Sequence, residues 1–106
     1  MVYLGALVVP SGGTSVNNDT TTVPFTVSPI YRYLLVQTPA STGAFDTRVA
    51  TGSGLSSDTA EYAIAASSEE QIACPPTSGS LTVIAMQNSG SGGTVAVFGL
   101  YGPAGS

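Results

Sequence analysis

The segment that decides the fold is YRYLLVQT, which runs from Tyr31 to Thr38. Successive side chains of an extended chain point to opposite sides, so this segment has two distinct faces. One face carries Tyr31, Tyr33 and Leu35, and the other carries Arg32, Leu34 and Val36. Aromatic and branched side chains favour extended structure, and a proline cannot donate to a strand ladder. The segment therefore predicts a β-strand that ends before Pro39.

The same period of two recurs along the rest of the chain, and helical periodicity is nowhere sustained. Turn-forming Gly, Pro, Asn and Ser residues separate the extended segments at intervals of about eight to twelve residues. This spacing predicts an all-β chain, a single β-sandwich domain over residues 1–106 with about eight strands and jelly-roll-like connections. The seven further strands are expected at Val2–Val9, Thr20–Val27, Ala44–Ala50, Thr59–Ala66, Glu69–Cys74, Leu81–Gln87 and Thr94–Tyr101.

Two of these strands have features that predict their positions. Val2–Val9 is apolar on both faces, so we expect a second sheet or a neighbouring subunit to cover each of them. Thr20–Val27 contains Pro24, which lacks a backbone donor and indicates an edge strand. A Gly/Ser loop is expected at 51–57 and a tail at 102–106. The core is expected to centre on Phe25, Tyr33, Leu35, Val83, Val97 and Phe98.

The composition argues against catalysis and nucleic-acid binding. The chain has no histidine, lysine or tryptophan, so the commonest acid–base and metal-binding side chain is missing. Two arginines stand against six acidic residues, which gives a net charge of −4, whereas nucleic-acid binding needs a basic surface. A single cysteine, Cys74, excludes an internal disulfide, and the nearby Glu69 and Glu70 disfavour a reactive thiolate. We therefore expect no enzymatic activity, no cofactor, no metal site and no nucleic-acid partner.

No membrane partner is expected either. The longest apolar run, Leu4–Val9, is far shorter than the roughly 20 residues that span a bilayer. The acidic balance argues against an anionic membrane surface, and the N-terminus lacks the cationic region of a signal peptide. The chain is expected to work where it is made or to leave the cell as part of an assembly.

Two acidic motifs are candidates for a catalytic or metal-binding site. Asp46-Thr47-Arg48 is similar to the Asp-Thr pair of retroviral-type aspartic proteases, but Arg48 stands where those proteins have glycine. A cation there opposes the shared proton of a carboxylate dyad, so we expect an ion pair. Glu69 and Glu70, with Asp58 and Glu61, offer oxygen ligands without the spacing of a calcium loop, so we expect a solvated acidic patch.

The small-residue loops and the tyrosines carry weaker signals. Gly52-Ser53-Gly54 and Gly90-Ser91-Gly92 precede no helical pattern and no lysine, so they predict turns and not phosphate loops. The tyrosines are expected to be half-buried in the core or at subunit contacts, and an aromatic platform that stacks on sugar rings is the alternative. The residues concerned are Tyr3, Tyr31, Tyr33, Tyr62 and Tyr101.

The segment YLLVQTPA, Tyr33 to Ala40, precedes a small-residue turn and a β-rich half that ends in Thr94–Val97. This arrangement resembles small β-sandwich virion proteins of tailed bacteriophages, and the low charge with abundant Ser, Thr, Gly and Ala is similar to capsid decoration or cement proteins. The resemblance implies a non-enzymatic homotrimer on the capsid surface, made in the host cytoplasm, that bridges subunits of the major capsid protein. It assigns no role to an individual residue. The alternative is a glycan- or receptor-binding β-sandwich module of a tail or fibre.

Surface chemistry independently predicts assembly. Only 8% of the residues are charged, whereas a typical soluble domain has about 25%. We therefore expect much of the surface to be buried in a homo-oligomer or against other chains, through apolar and backbone contacts. The expected partner-binding residues are Val2, Tyr3, Leu4, Leu7 and Val9.

Overall fold

The computed structural model describes residues 1–12, 15–51, 61–87 and 90–102, and within these ranges every regular element is a β-strand. Most of the loop expected at 51–57 and of the tail expected at 102–106 lies outside the described residues, as does Asp58. No described helix is long and apolar enough to cross a membrane. The strands are β1 (Val2–Val9), β2 (Val16–Asn17), β3 (Tyr33–Gln37), β4 (Phe45–Thr51), β5 (Glu61–Ile64), β6 (Glu69–Ala73), β7 (Leu81–Met86) and β8 (Gly93–Leu100).

The strands form two four-stranded antiparallel sheets. Sheet A has the order β1-β8-β3-β6, and sheet B has the order β2-β7-β4-β5. The first half of the chain pairs in reverse order with the second half: β1 with β8, β2 with β7, β3 with β6 and β4 with β5. Two more pairings, β3 with β8 and β4 with β7, join these ribbons into the sheets. The all-β prediction is therefore confirmed.

Alternate side chains of both sheets build one shared apolar core. Phe45 is its largest fully buried side chain, and Leu34 and Val36 contribute the inner face of β3. Val83 and Val97 are buried as predicted. The prediction that Tyr33 and Phe98 centre the core is wrong, because both are half-buried on the outer face of sheet A. Leu35 is buried on that same outer face, opposite Phe98.

The strand predicted at Thr20–Val27 does not form, and only Val27 makes a bridge, to Leu81. Val23 is 78% exposed, and Phe25, expected at the centre of the core, is half-buried at its margin. The buried Asn18 amide holds this segment instead. Its Nδ2 donates to the carbonyl oxygens of Phe25 and Leu81, each at 3.2 Å. A side chain thus takes the place of ladder bonds, which Pro24 interrupts.

Candidate interaction edge at strand β1

Four strands form the edges of the two sheets, and three of them carry features that discourage pairing with another chain. β2 is two residues long, and β6 presents the exposed carboxylates of Glu69 and Glu70. β5 carries Glu61, whose Oε2 accepts a 2.8 Å ion-pair hydrogen bond from Arg48. β1, in contrast, has eight residues and no charged side chain. Long, uncharged edge strands are the ones that accept a further strand.

The backbone of β1 is paired on one side only. A bulge at Leu4 interrupts the register between Tyr3 and Gly5, and beyond it Gly5–Val9 pairs without a break with Val97–Gly93 of β8. In the part of the chain that the structure describes, no backbone hydrogen bond links the opposite edge of β1 to another segment. The straight stretch Gly5–Val9 therefore presents free backbone donors and acceptors along this edge.

An apolar groove of about 410 Å³ runs between β1 and the segment 21–25. Its described lining includes no residue of β8, so it lies on the open side of β1. The ring of Phe25 packs against Gly5 and forms part of its wall. Thr21 also lines the groove, but its hydroxyl is buried and has no hydrogen-bond partner among the described residues. The surface that the groove offers to another chain is therefore mainly apolar.

Exposed apolar side chains surround this edge. Large apolar side chains are exposed at seven described positions, and five of these lie on or next to β1 and the groove. They are Met1, Val2, Tyr3, Val8 and Val23. No acidic or basic side chain occurs in residues 1–12 or 20–27. The edge is therefore a neutral, apolar patch, which suits contact with another protein chain.

The structure separates the five expected partner-binding residues into two groups. Val2 and Tyr3 are exposed, and Leu4 is half-buried at the bulge. Leu7 and Val9 lie in the core, so only their backbone groups remain available to a partner. Sequence reasoning missed Val8, which is 54% exposed. The signal for its exposure is that Val8 alternates with Leu7 and Val9, which are buried. It also missed Val23 and Thr21, for which the alternating pattern pointed to a strand.

The Asp46 carboxyl group lies beside that of Glu61 on the neighbouring strand β5. Asp46 and Arg48 lie on the same face of β4, and Thr47 between them is fully buried. The expected ion pair of Arg48 forms across strands with Glu61. Burial, followed by repulsion from Glu61, raises the pKa of Asp46. Within the described ranges, no group of three or more metal-ligating side chains occurs.

Burial raises the pKa of both Cys74 and Tyr31. Cys74 is a half-buried free thiol, and burial raises its pKa to about 11, so it remains protonated at neutral pH. Tyr31 and Tyr101 form an aromatic pair with ring centroids 5.4 Å apart and planes tilted by 39°. Partial burial and the neighbouring Tyr101 phenol raise the pKa of Tyr31. Tyr3 packs edge-on against Phe98 beside the β1 edge.

Comparisons with known proteins assign no function to this chain. The chain matches no family model, no curated protein and no solved structure. The most distinctive surface feature of the described structure is the open β1 edge with the apolar side chains around it.

Proposed function

We propose that this protein is a non-enzymatic structural component of a bacteriophage particle, a capsid decoration or cement protein that stabilises the head by bridging coat subunits. The observation that carries the proposal is the open β1 edge, the one strand edge among those described that is both long and free of charge. A chain that works alone gains nothing from such an edge and risks aggregation. A chain that works inside an assembly uses it for attachment.

The nested strand pairing supports the finer fold assignment, a jelly-roll-like sandwich. Such folds have eight strands in two sheets, and many virion proteins use them. Here the chain folds back on itself as one long ribbon, from the β4–β5 hairpin outward to the β1–β8 pair. This ribbon leaves β1, near the chain's N-terminus, at the edge of sheet A.

Attachment to the particle, on this proposal, occurs by strand addition at β1. Backbone groups of Gly5–Val9 pair with an extended segment of the major capsid protein, and Val8, Tyr3 and the groove contact its apolar side chains. Charge contributes little, since no side chain of the patch is charged. Surface ion pairs are worth about 0–1 kcal/mol each and are screened by salt, so attachment should depend weakly on ionic strength.

A second candidate function is the glycan- or receptor-binding module of a tail or fibre. The observation that favours it is the Tyr31–Tyr101 pair, because Tyr101 is exposed and aromatic faces stack on sugar rings. The tilt between the rings makes the pair a poor flat platform. Copy number in purified particles separates the two functions, since a decoration protein occurs in hundreds of copies and a tail module in a few.

The experiment is a binding assay with particles that lack this protein. Val8→Lys places a charge on the open edge without entering the core, and we expect it to abolish decoration. Ile30→Lys is the matched control, because Ile30 is similarly exposed but is not part of β1 or of the groove lining. Raising salt from about 50 mM to about 500 mM should leave wild-type occupancy nearly unchanged. Release by salt alone, or full decoration by Val8→Lys, would contradict the proposal.

A further inference from the structure

We infer that, in the free protein, the β1 edge is closed by a second copy of this chain, so that two β1 strands pair antiparallel about a two-fold axis. The inference rests on the proposed function, because it uses the same edge. It identifies what covers this edge when the protein is not attached to a particle. On the particle, a segment of the coat takes the place of the second copy.

The charge distribution favours this pairing over other contacts between copies. Each copy carries a net charge of −4, so two copies repel each other wherever their acidic residues approach. The carboxylates of Glu69 and Glu70 lie on β6, the opposite edge of sheet A from β1. In a continuous eight-stranded sheet the two β6 strands are seven spacings apart, about 34 Å, well beyond the screening length of about 8 Å. Pairing at β1 therefore brings two neutral surfaces together.

The shape of the edge sets the register. The bulge at Leu4 ends the regular strand on one side, and Pro10, which has no backbone donor, ends it on the other. The five residues between them have Leu7 at their centre. An antiparallel pair centred on Leu7 sets Val8 of each copy opposite Ala6 of the other, a large side chain beside a small one. Both residues point to the outer face of sheet A, where Val8 is exposed in the single chain.

The groove gives a second, independent observation, because apolar side chains along it are left exposed in the single chain. The exposed Val23 lies at the same groove and gains apolar cover from the second copy. The contact is isologous, since each copy presents the same groove and the same exposed side chains to the other.

Sedimentation velocity of the purified protein at micromolar concentration tests the oligomeric state. We expect wild type and Ile30→Lys to sediment as dimers and Val8→Lys to sediment as a folded monomer. Val8→Thr keeps a branched, neutral side chain and should remain a dimer. A wild-type monomer, a trimer, or a Val8→Lys dimer would overturn the inference.

Cysteine cross-linking tests the register. In a Cys74→Ser background, a mixture of Ala6→Cys and Val8→Cys proteins should form disulfide-linked heterodimers on mild oxidation, whereas each protein alone should cross-link much more slowly. Equal rates in all three samples would refute the register centred on Leu7. The proposed function fails separately: a dimeric protein whose Val8→Lys variant still decorates particles would contradict attachment at β1, whereas a monomer that needs Val8 for decoration would contradict only the dimer.

Discussion

The ring of Phe25 lies against the α-carbon of Gly5, in the space that a β-carbon at residue 5 would occupy. Gly5 is paired with the buried Val97, so the contact lies on the inner side of β1. It closes the core beneath the edge strand and fixes one wall of the groove. The packing of the core and the shape of the interaction edge therefore depend on the same pair of residues.

Gly5→Ala should destabilise the fold, because the added methyl group must displace the Phe25 ring. Overpacking of this kind typically costs about 1–3 kcal/mol. Gly79→Ala is the matched control, since its β-carbon would meet only Thr77 Oγ1 at 3.9 Å. Urea denaturation of both variants checks the difference. Equal midpoints for the two variants would show that Phe25 moves aside without cost.

Phe45 and Phe98 should differ in their contributions to stability. Phe45 is fully buried, so Phe45→Ala is expected to cost about 3–5 kcal/mol in free energy of unfolding. Phe98 is half-buried on the outer face, so Phe98→Ala should cost clearly less. Thermal melts of both variants test the order. A larger loss for Phe98→Ala would mean that sheet A presents its other face to the core.

Gln87→Met should destabilise the protein although it preserves most of the side-chain volume. Gln87 is fully buried; its Nε2 donates to Ser41 Oγ at 2.8 Å and to the Gly43 carbonyl at 2.7 Å. Its Oε1 accepts from the buried Gly92 amide at 2.8 Å, and leaving that amide unpaired costs about 1–3 kcal/mol. Gln37→Met, at a partly exposed position, is the control and should change stability by less than about 0.5 kcal/mol. Chemical denaturation of the two variants measures this difference in the free energy of unfolding.

Cys74 should make stability fall at alkaline pH. Its thiol has an ordinary pKa of 9.0, and burial raises that pKa to about 11 in the folded chain. Between these values the unfolded chain releases a proton that the folded chain retains, so the free energy of unfolding decreases as pH rises through this window. Cys74→Ala should lack this part of the slope. Parallel denaturation curves of the two proteins from neutral pH to about pH 11 measure it, and identical slopes would contradict the burial of the thiol.

Much of the strand pattern can be predicted from the sequence, because alternation and prolines act locally. β1 spans the predicted Val2–Val9, and β4 turns Phe45, Thr47 and Val49 inward. Alternation alone does not decide which face of a strand is buried when both faces are apolar, and for this reason the sequence wrongly predicts Tyr33 in the core. The prediction of a strand at 20–27 is wrong for another reason, since the long-range hydrogen bonds of Asn18 override its local pattern.

The candidate site could be predicted in part. The uncharged, apolar stretch Val2–Val9 is unusual in the sequence itself, and the structure places it at the edge of sheet A. Its division into core-facing Leu7 and Val9 and outward Val8 required knowledge of which sheet covers β1. The groove depends on Thr21 and Phe25, which reach β1 only through the tertiary fold.

Attachment through the edge of β1 would be visible in a cryo-EM map of the particle that carries this protein. We expect the protein on the capsid surface, with an extended segment of a coat subunit hydrogen-bonded along Gly5–Val9 and continuing sheet A beyond β1. A map in which β1 faces solvent, and the contacts come from β6 or from sheet B, would refute attachment at this edge.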